Sequence, residues 1–211
     1  MRFTLSFLLL ALSLKGLSQD ARELKHRAYV STFSKTKLYP VSVEWWLTKR
    51  MLTCKTKQGR LTDFSQDPKL PKETNLDRYY RSSGYDRGHV FPAAYAECDK
   101  VTMAESFYYS NVMPQTPQLN RGDWKTVEEL TKLEAREHDS VYVWAGGIGE
   151  IKKLGPVSVP TKCWKVVWVK KTNEYFCFLF DNDSSLSNGI ADNRVELSVV
   201  QKLTGLAFKK K

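Results

Sequence analysis

The chain has few of the residues that build a metal centre from protein ligands alone. It has three histidines, His26, His89 and His138, and four cysteines, with no C-x-x-C and no close pair of histidines. That spacing fits no usual zinc pattern and argues against a zinc hydrolase or phosphatase. There is no internal repeat and no low-complexity linker, so a repeat array or a tethered pair of domains is not indicated. Acidic residues are in deficit, 23 against 33 Lys and Arg, and the formal net charge is +10. No apolar run is long enough to span a bilayer comfortably; the longest begins at Phe3 and stops at Leu14.

That short run has its own meaning. It follows a single early cation, Arg2, and leads to Gly16 and Ser18, small residues three and one before a cut that would leave Gln19 first. Residues 1–18 therefore read as a signal peptide, and residues 19–211 as one exported domain, secreted or periplasmic, with no membrane anchor after cleavage. Arg2 and Lys15 are the only charged residues of the signal, so its removal lowers the charge by two, to +8. The basic balance belongs to the folded part and suits a polyanionic partner. An even number of cysteines in an exported chain permits disulfides, and Cys54, Cys98, Cys163 and Cys177 allow three pairings. Cys163 and Cys177 also lie in apolar runs, where a free thiol packs as a small core residue.

The pattern along the chain is mixed. "VSVEWWLTKRMLTCK" reads as a strand or two, and "VYVWAGGI", "VSVP", "CWKVVWVK" and "EYFCFLF" as strands. "KKTNE" reads as the connection of the last pair. "SFYYSNVMP" looks like a short strand ended by Pro114, and "PAAYAECDKVTMAES" is helical in part. The polar stretch from Gln58 to His89, broken by Gly59, Pro68, Pro71 and Gly84, reads as a long surface excursion. "LNRGDWKTVEELTKLEAREHD" is the clearest helix, with Trp124, Val127, Leu130 and Leu133 or Glu134 at helical spacing. The tail "NRVELSVVQKLTGLAF" reads as a strand and a short helix capped by Gly205. Together these predict an α+β domain on a largely antiparallel sheet flanked by helices.

Chemistry concentrates in two stretches. In "SSGYDRGHVFP", Asp86, Arg87, Gly88 and His89 are consecutive. Histidine is the natural general base near neutral pH, and arginine can grip phosphate bidentately. In "NVMPQTPQLNRGDWKTVEE", Asn120 stands at the entry to the expected helix, where it is either an N-cap or a neutral oxygen ligand for a hard cation. Glu128 lies about 12 Å of helical rise further on, near the same face. Trp124 reads as core. His26 and His138 sit in no motif and read as surface residues.

Asp86-Arg87-Gly88-His89, then Asn111-Val112-Met113-Pro114-Gln115, then Asn120, Trp124 and Glu128 follow the order D-R-G-H, N-x-x-P-Q, N-x-x-x-W-x-x-x-E. With "SGYDRGH", "ESF", "VPTKCWKVV" and "LTGLAF" around it, the chain from Pro40 to Phe208 resembles the DNA/RNA non-specific endonucleases. These include secreted bacterial sugar-non-specific nucleases and the mitochondrial endonuclease G group. The resemblance implies a ββα-metal (His-Me finger) core set in a six-stranded antiparallel sheet. It implies Mg²⁺, with Mn²⁺ able to substitute, and DNA and RNA as substrates cut to 5′-phosphate products. His89 would be the general base and Asn120 the protein ligand of the metal. Glu128 would hold a water of the ion, Asn111 would hold the site in place, and Arg87 would steady the loop or the scissile phosphate. Many members carry an arginine facing the substrate where this chain has Lys132. A further family arginine lies upstream, with Arg60, Arg78 and Arg81 as the alternatives here. Related enzymes are often homodimers. The rival readings are a catalytically silent nucleic-acid binder and a toxin nuclease with a dedicated inhibitor. The intact set His89, Asn120 and Glu128 argues against the first, and the short chain against the second.

Overall fold

Alternation of side chains explains how one sheet serves two cores. A computed structural model describes residues 20–71, 76–183 and 189–211. The signal segment lies outside the described residues. Strands β1 (Ala21–Lys25), β2 (Val30–Ser34), β3 (Pro40–Thr48), β6 (Ser140–Ile148), β9 (Lys162–Val169) and β10 (Glu174–Asp181) form a six-stranded sheet in the order β1-β2-β3-β6-β9-β10. Every neighbouring pair is antiparallel. The short strands β7 (Lys152–Leu154) and β8 (Val157–Val159) pair with each other, and α1 (Asp77–Tyr80) is a single turn. On β9, Cys163, Val167 and Val169 join Trp124, Val127 and Phe91 on one face, while Trp164, Val166 and Trp168 join Tyr142, Trp144 and Phe208 on the other. This is the period of two that a strand buried on both faces must show.

Helix α4 (Asp123–Glu137) packs on the first face, and α5 (Leu197–Thr204) on the second. On α4 the buried residues include Trp124, Val127, Thr131 and Ala135, whereas Leu133 is 58% exposed. The apolar stripe thus drifts from Val127 to Thr131, and Leu133 falls outside it. Helix α5 ends at Gly205, whose φ of 70° gives the left-handed cap expected of a glycine. The strand expected before α5 reduces to one bridge, Phe178 to Arg194.

Three further departures from the sequence reading matter. Strands β1 and β2 carry Lys, Arg, Glu and Ser and have no clean alternation, so their pairing was not legible. The end of the expected surface excursion is β4 (Asp86–His89), a strand paired antiparallel with β5 (Val112–Gln115). β5 runs through Pro114, which is tolerated because this sheet has only two strands and an edge is free. Lastly, His26 is not a surface residue. Its imidazole is fully buried, 3.1 Å from Asp67 and 3.7 Å from Glu105, and stacked on Tyr29. Asp67 also accepts a bond from Ser110, so this cluster ties the excursion to the segment beside Asn111.

One disulfide, Cys54–Cys98, joins the base of the excursion to the turn before α2 (Lys100–Ser106). Cys163 and Cys177 are free and buried. Among the described residues no helix is long and apolar enough to cross a membrane.

Candidate active site

β4 and β5 form a short ladder, and the chain then turns through α3 (Pro117–Arg121) into α4. Thr116 caps α3, its hydroxyl accepting from Leu119 N. Asn120 therefore lies inside α3, so of its two alternatives the N-cap does not hold. Gly122, with φ −101° and ψ −110°, breaks the single expected helix in two. The break, together with the β4–β5 ladder, sets Asn120 and Glu128 around one cavity of about 630 Å³. His89, Arg87, Asp86, Arg60, Phe64, Tyr85, Arg121 and Lys125 also line it.

His89 ends β4. Its ring packs against Phe64 and Phe107, with centroids 4.9 and 4.7 Å away. Its Nε2 is buried with no hydrogen-bond partner among the described residues. Burial first, and the charge of Arg60 second, pull its pKa down to about 3. The imidazole is thus neutral at physiological pH, the form a proton acceptor needs. Trp124 Nε1 donates to the His89 carbonyl at 3.1 Å, fixing the end of β4 to α4. Gly88 lets β4 lie close to Gln115: a Cβ there would come 2.0 Å from Gln115 Oε1 and displace that carboxamide.

Asn111 does not reach the cavity. It is fully buried, accepts from Phe91 N at 2.8 Å, and donates to the carbonyls of Phe91 and Ser106. Its amide is spent on the backbone just past His89. Arg87 lines the cavity with a guanidinium already braced: it donates to Asp77 at 2.7 Å and to Tyr109 Oη at 3.2 Å.

Asp86 acts on Asn120. Its carboxylate accepts from Asn120 Nδ2 at 2.9 Å and from Arg121 at 2.8 and 2.7 Å. Burial works against this carboxylate, but the Arg121 and Asn120 bonds outweigh it and hold its pKa below the usual range. With Nδ2 committed, Asn120 Oδ1 is the atom left to ligate. The metal-ligating groups lining the cavity, His89 apart, are oxygen: the Asn120 amide and the carboxyls of Asp86, Glu128 and Glu129, with no sulfur or second imidazole among the described lining residues. That set fits a hard divalent cation that keeps most of its waters. Burial pushes the Glu128 carboxyl up, against the pull of Lys165 and then Lys132.

Lys132 is not brought to the cavity. Its ammonium pairs with Glu129 at 2.7 Å and lies near Tyr95. Of the three upstream arginines, Arg60 lines the cavity, while Arg78 stacks on Tyr79 and Arg81 pairs with Asp77. Sequence reasoning missed Lys125, Arg121 and Tyr85 as lining residues. Tyr85 and Arg121 stand next to motif residues, and Lys125 follows Arg121 by four positions; adjacency was the signal available.

The family model "DNA/RNA non-specific endonuclease" matches residues 11–211. A "Nuclease" of Nostoc sp. is 28% identical over 207 residues, 91% of this chain and 74% of that protein. "Nuclease C1" of Cunninghamella echinulata is 28% identical over 211 residues, 88% and 81% of the two chains. Human "Endonuclease G, mitochondrial" is 39% identical over 90 residues, 41% of this chain and 30% of that one. A chain in the crystal structure of the EndoG/EndoGI complex superposes with a TM-score of 0.80 at 26% identity, covering 88% of this chain and 84% of its own.

Proposed function

The chain belongs to the DNA/RNA non-specific endonuclease family, and from that premise we propose that it hydrolyses phosphodiester bonds of both nucleic acids with His89 as general base and one Mg²⁺ at Asn120. Mn²⁺ is able to substitute. The observation that carries this reading is the convergence of a neutral buried imidazole, an oriented Asn120 and Glu128 on one cavity.

When bound, the divalent ion supplies Lewis-acid stabilisation of the charge that develops on the phosphoryl and leaving oxygens. The protein supplies the rest. His89 accepts the proton of the attacking water, typically worth about 10²–10⁴-fold for a positioned base. Asn111 and Trp124 hold the His89 segment from two sides, so the ring does not have to be ordered during the reaction. Asp86 keeps the Asn120 amide in one orientation. Arg87, immobilised by Asp77 and Tyr109, presents a charged edge to the phosphate. Arg60 and Lys125 add positive charge at the rim. In-line attack with the 3′-oxygen leaving gives 5′-phosphate ends.

The named cavity groups read backbone charge and no base edge, which supports indifference to sequence and sugar. Binding weakens steeply with salt. Export, to the periplasm or outside the cell, is supported by residues 1–18 of the sequence and by the Cys54–Cys98 disulfide. A homodimer is in keeping with the family.

The test incubates the protein lacking residues 1–18 with supercoiled plasmid and with RNA. Mg²⁺ gives loss of both substrates; excess EDTA, or His89→Ala, abolishes it. Undiminished cleavage by His89→Ala removes the base assignment, and retained binding without any cleavage by wild type points to a silent binder.

A further inference from the structure

A second cavity, of about 430 Å³, adjoins the one that holds His89. Two pieces of the chain wall both. Tyr85 lines each cavity. Helix α3 gives Asn120 and Arg121 to the first and, from its opening turn, Pro117 and Gln118 to the second. The two hollows are therefore neighbours across one aromatic side chain, with the proposed reaction centre on one side of it.

Local structure builds this arrangement. Gly84 has a φ of +82°, the left-handed region that favours glycine, although a Cβ there would meet nothing within 4 Å. The glycine is thus needed for the turn and not for space. That turn delivers Tyr85 directly ahead of Asp86, the residue that holds Asn120. The buried wall of the second cavity is Asn182, 1% exposed. Its carboxamide accepts from Thr116 N at 2.9 Å and donates to the carbonyls of Pro114 and Pro160 at 2.9 and 3.0 Å. These bonds join β5, the start of α3 and the β8–β9 connection, so the protein fixes the shape of the hollow before any ligand enters.

The chemistry of the lining suits one nucleotide. Lys152, on β7, carries its ammonium over the Tyr85 ring, 4.7 Å from the centroid. A cation and an aromatic face at one place are what unpaired nucleic acid uses: the backbone phosphate meets the first and a base stacks on the second. Lys152 is exposed, and its flexible stem lets the ammonium leave the ring for a phosphate. Asp183 is the acidic group among the described lining residues, and its charge disfavours a second phosphate in the same hollow. Stacking is tolerant of base identity, so such a contact keeps the indifference to sequence argued above.

We propose that this second cavity is a subsite for the nucleotide beside the scissile bond, with its base against Tyr85 and its phosphate on Lys152. The register of the strand rests on the hydrolytic reading; the binding itself does not.

Fluorescence anisotropy with a labelled eight-nucleotide oligothymidylate, in excess EDTA to keep the strand intact, tests the subsite on the protein lacking residues 1–18. Lys152→Glu raises Kd by about 10-fold and makes its dependence on salt shallower, as expected when one phosphate contact is lost. Lys202→Glu changes the net charge equally, but Lys202 is exposed on α5 and lines neither cavity, so Kd moves far less and the salt dependence is kept. Tyr85→Leu raises Kd by about 5- to 100-fold, the usual loss when a base gives up its aromatic platform. If Tyr85→Leu does not fold, Lys152→Glu decides, since an exposed side chain on β7 is altered there without touching the core. Equal shifts for Lys152→Glu and Lys202→Glu, or no shift for Lys152→Glu, overturn the proposal. If wild type binds the strand but cuts neither DNA nor RNA with Mg²⁺, the hydrolytic reading fails, and the comparison of variants still decides the subsite.

Discussion

Trp124 and His89 are joined by a single hydrogen bond, indole Nε1 to backbone carbonyl at 3.1 Å, across the seam between α4 and β4. The indole also packs edge-on to Phe180 in the sheet below. One side chain thus links the sheet, the helix and the strand that ends in the proposed base. Trp124→Phe keeps most of the apolar contact and removes the donor. It leaves a buried carbonyl unpaired, and urea unfolding reports a loss of about 1–3 kcal/mol. Activity falls as well, because the His89 segment loses its tie to α4.

Asp86→Asn tests the orientation of Asn120. The neutral amide gives up the ion pair with Arg121 and no longer dictates which atom of Asn120 faces the cavity. Activity falls by about 10- to 100-fold, the usual effect of removing a partner that orients a metal ligand. A Mg²⁺ titration of cleavage shows half-saturation moved to higher concentration.

His89 makes stability depend on pH in a definite direction. Its folded pKa, about 3, lies below the ordinary histidine value of 6.5. Between those values the unfolded chain binds a proton that the folded one does not. The contribution is therefore complete above about pH 6.5 and is lost as pH falls towards 3. Thermal midpoints recorded from pH 7 to pH 4 drop less steeply for His89→Gln than for wild type.

Reduction of Cys54–Cys98 acts through the excursion that carries Arg60 and Phe64 to the cavity. The disulfide closes 44 positions of chain. The Cys54→Ser, Cys98→Ser double variant loses about 2–4 kcal/mol in denaturant unfolding. Its kcat/KM also falls, and Arg60→Ala reproduces much of that fall with an intact disulfide. Lys132→Ala, by contrast, lowers kcat/KM less than Arg60→Ala, since Lys132 does not line the cavity and its ammonium is engaged by Glu129.

The strands with strong β-branched and aromatic content were legible: β3, β6, β9 and β10 announce themselves by composition. β1 and β2 do not, because a strand rich in Arg, Glu, Lys and Ser becomes a strand through its neighbour's hydrogen bonds. The candidate site residues stood out as a spaced motif, but not the contacts each one makes. That Asn111 serves backbone atoms, or that Asn120 leans on Asp86, depends on distances between segments that no local pattern encodes. His26 misled for a related reason. A lone histidine among charged neighbours looks solvated, and only the approach of Asp67 and Glu105 from remote segments encloses it.

Gly88 and Gln115 occupy the same space from opposite strands: a Cβ on the first would overlap the carboxamide of the second. The atoms in the way belong to the Gln115 side chain, so any residue with a Cβ at Gly88 has to push that carboxamide aside. A library that randomises both positions together should recover alanine at Gly88 more often than one that randomises Gly88 alone, and should pair it with a shorter residue at Gln115. The two positions form a single heritable character, and an evolutionary path away from glycine here runs most easily through the partner strand.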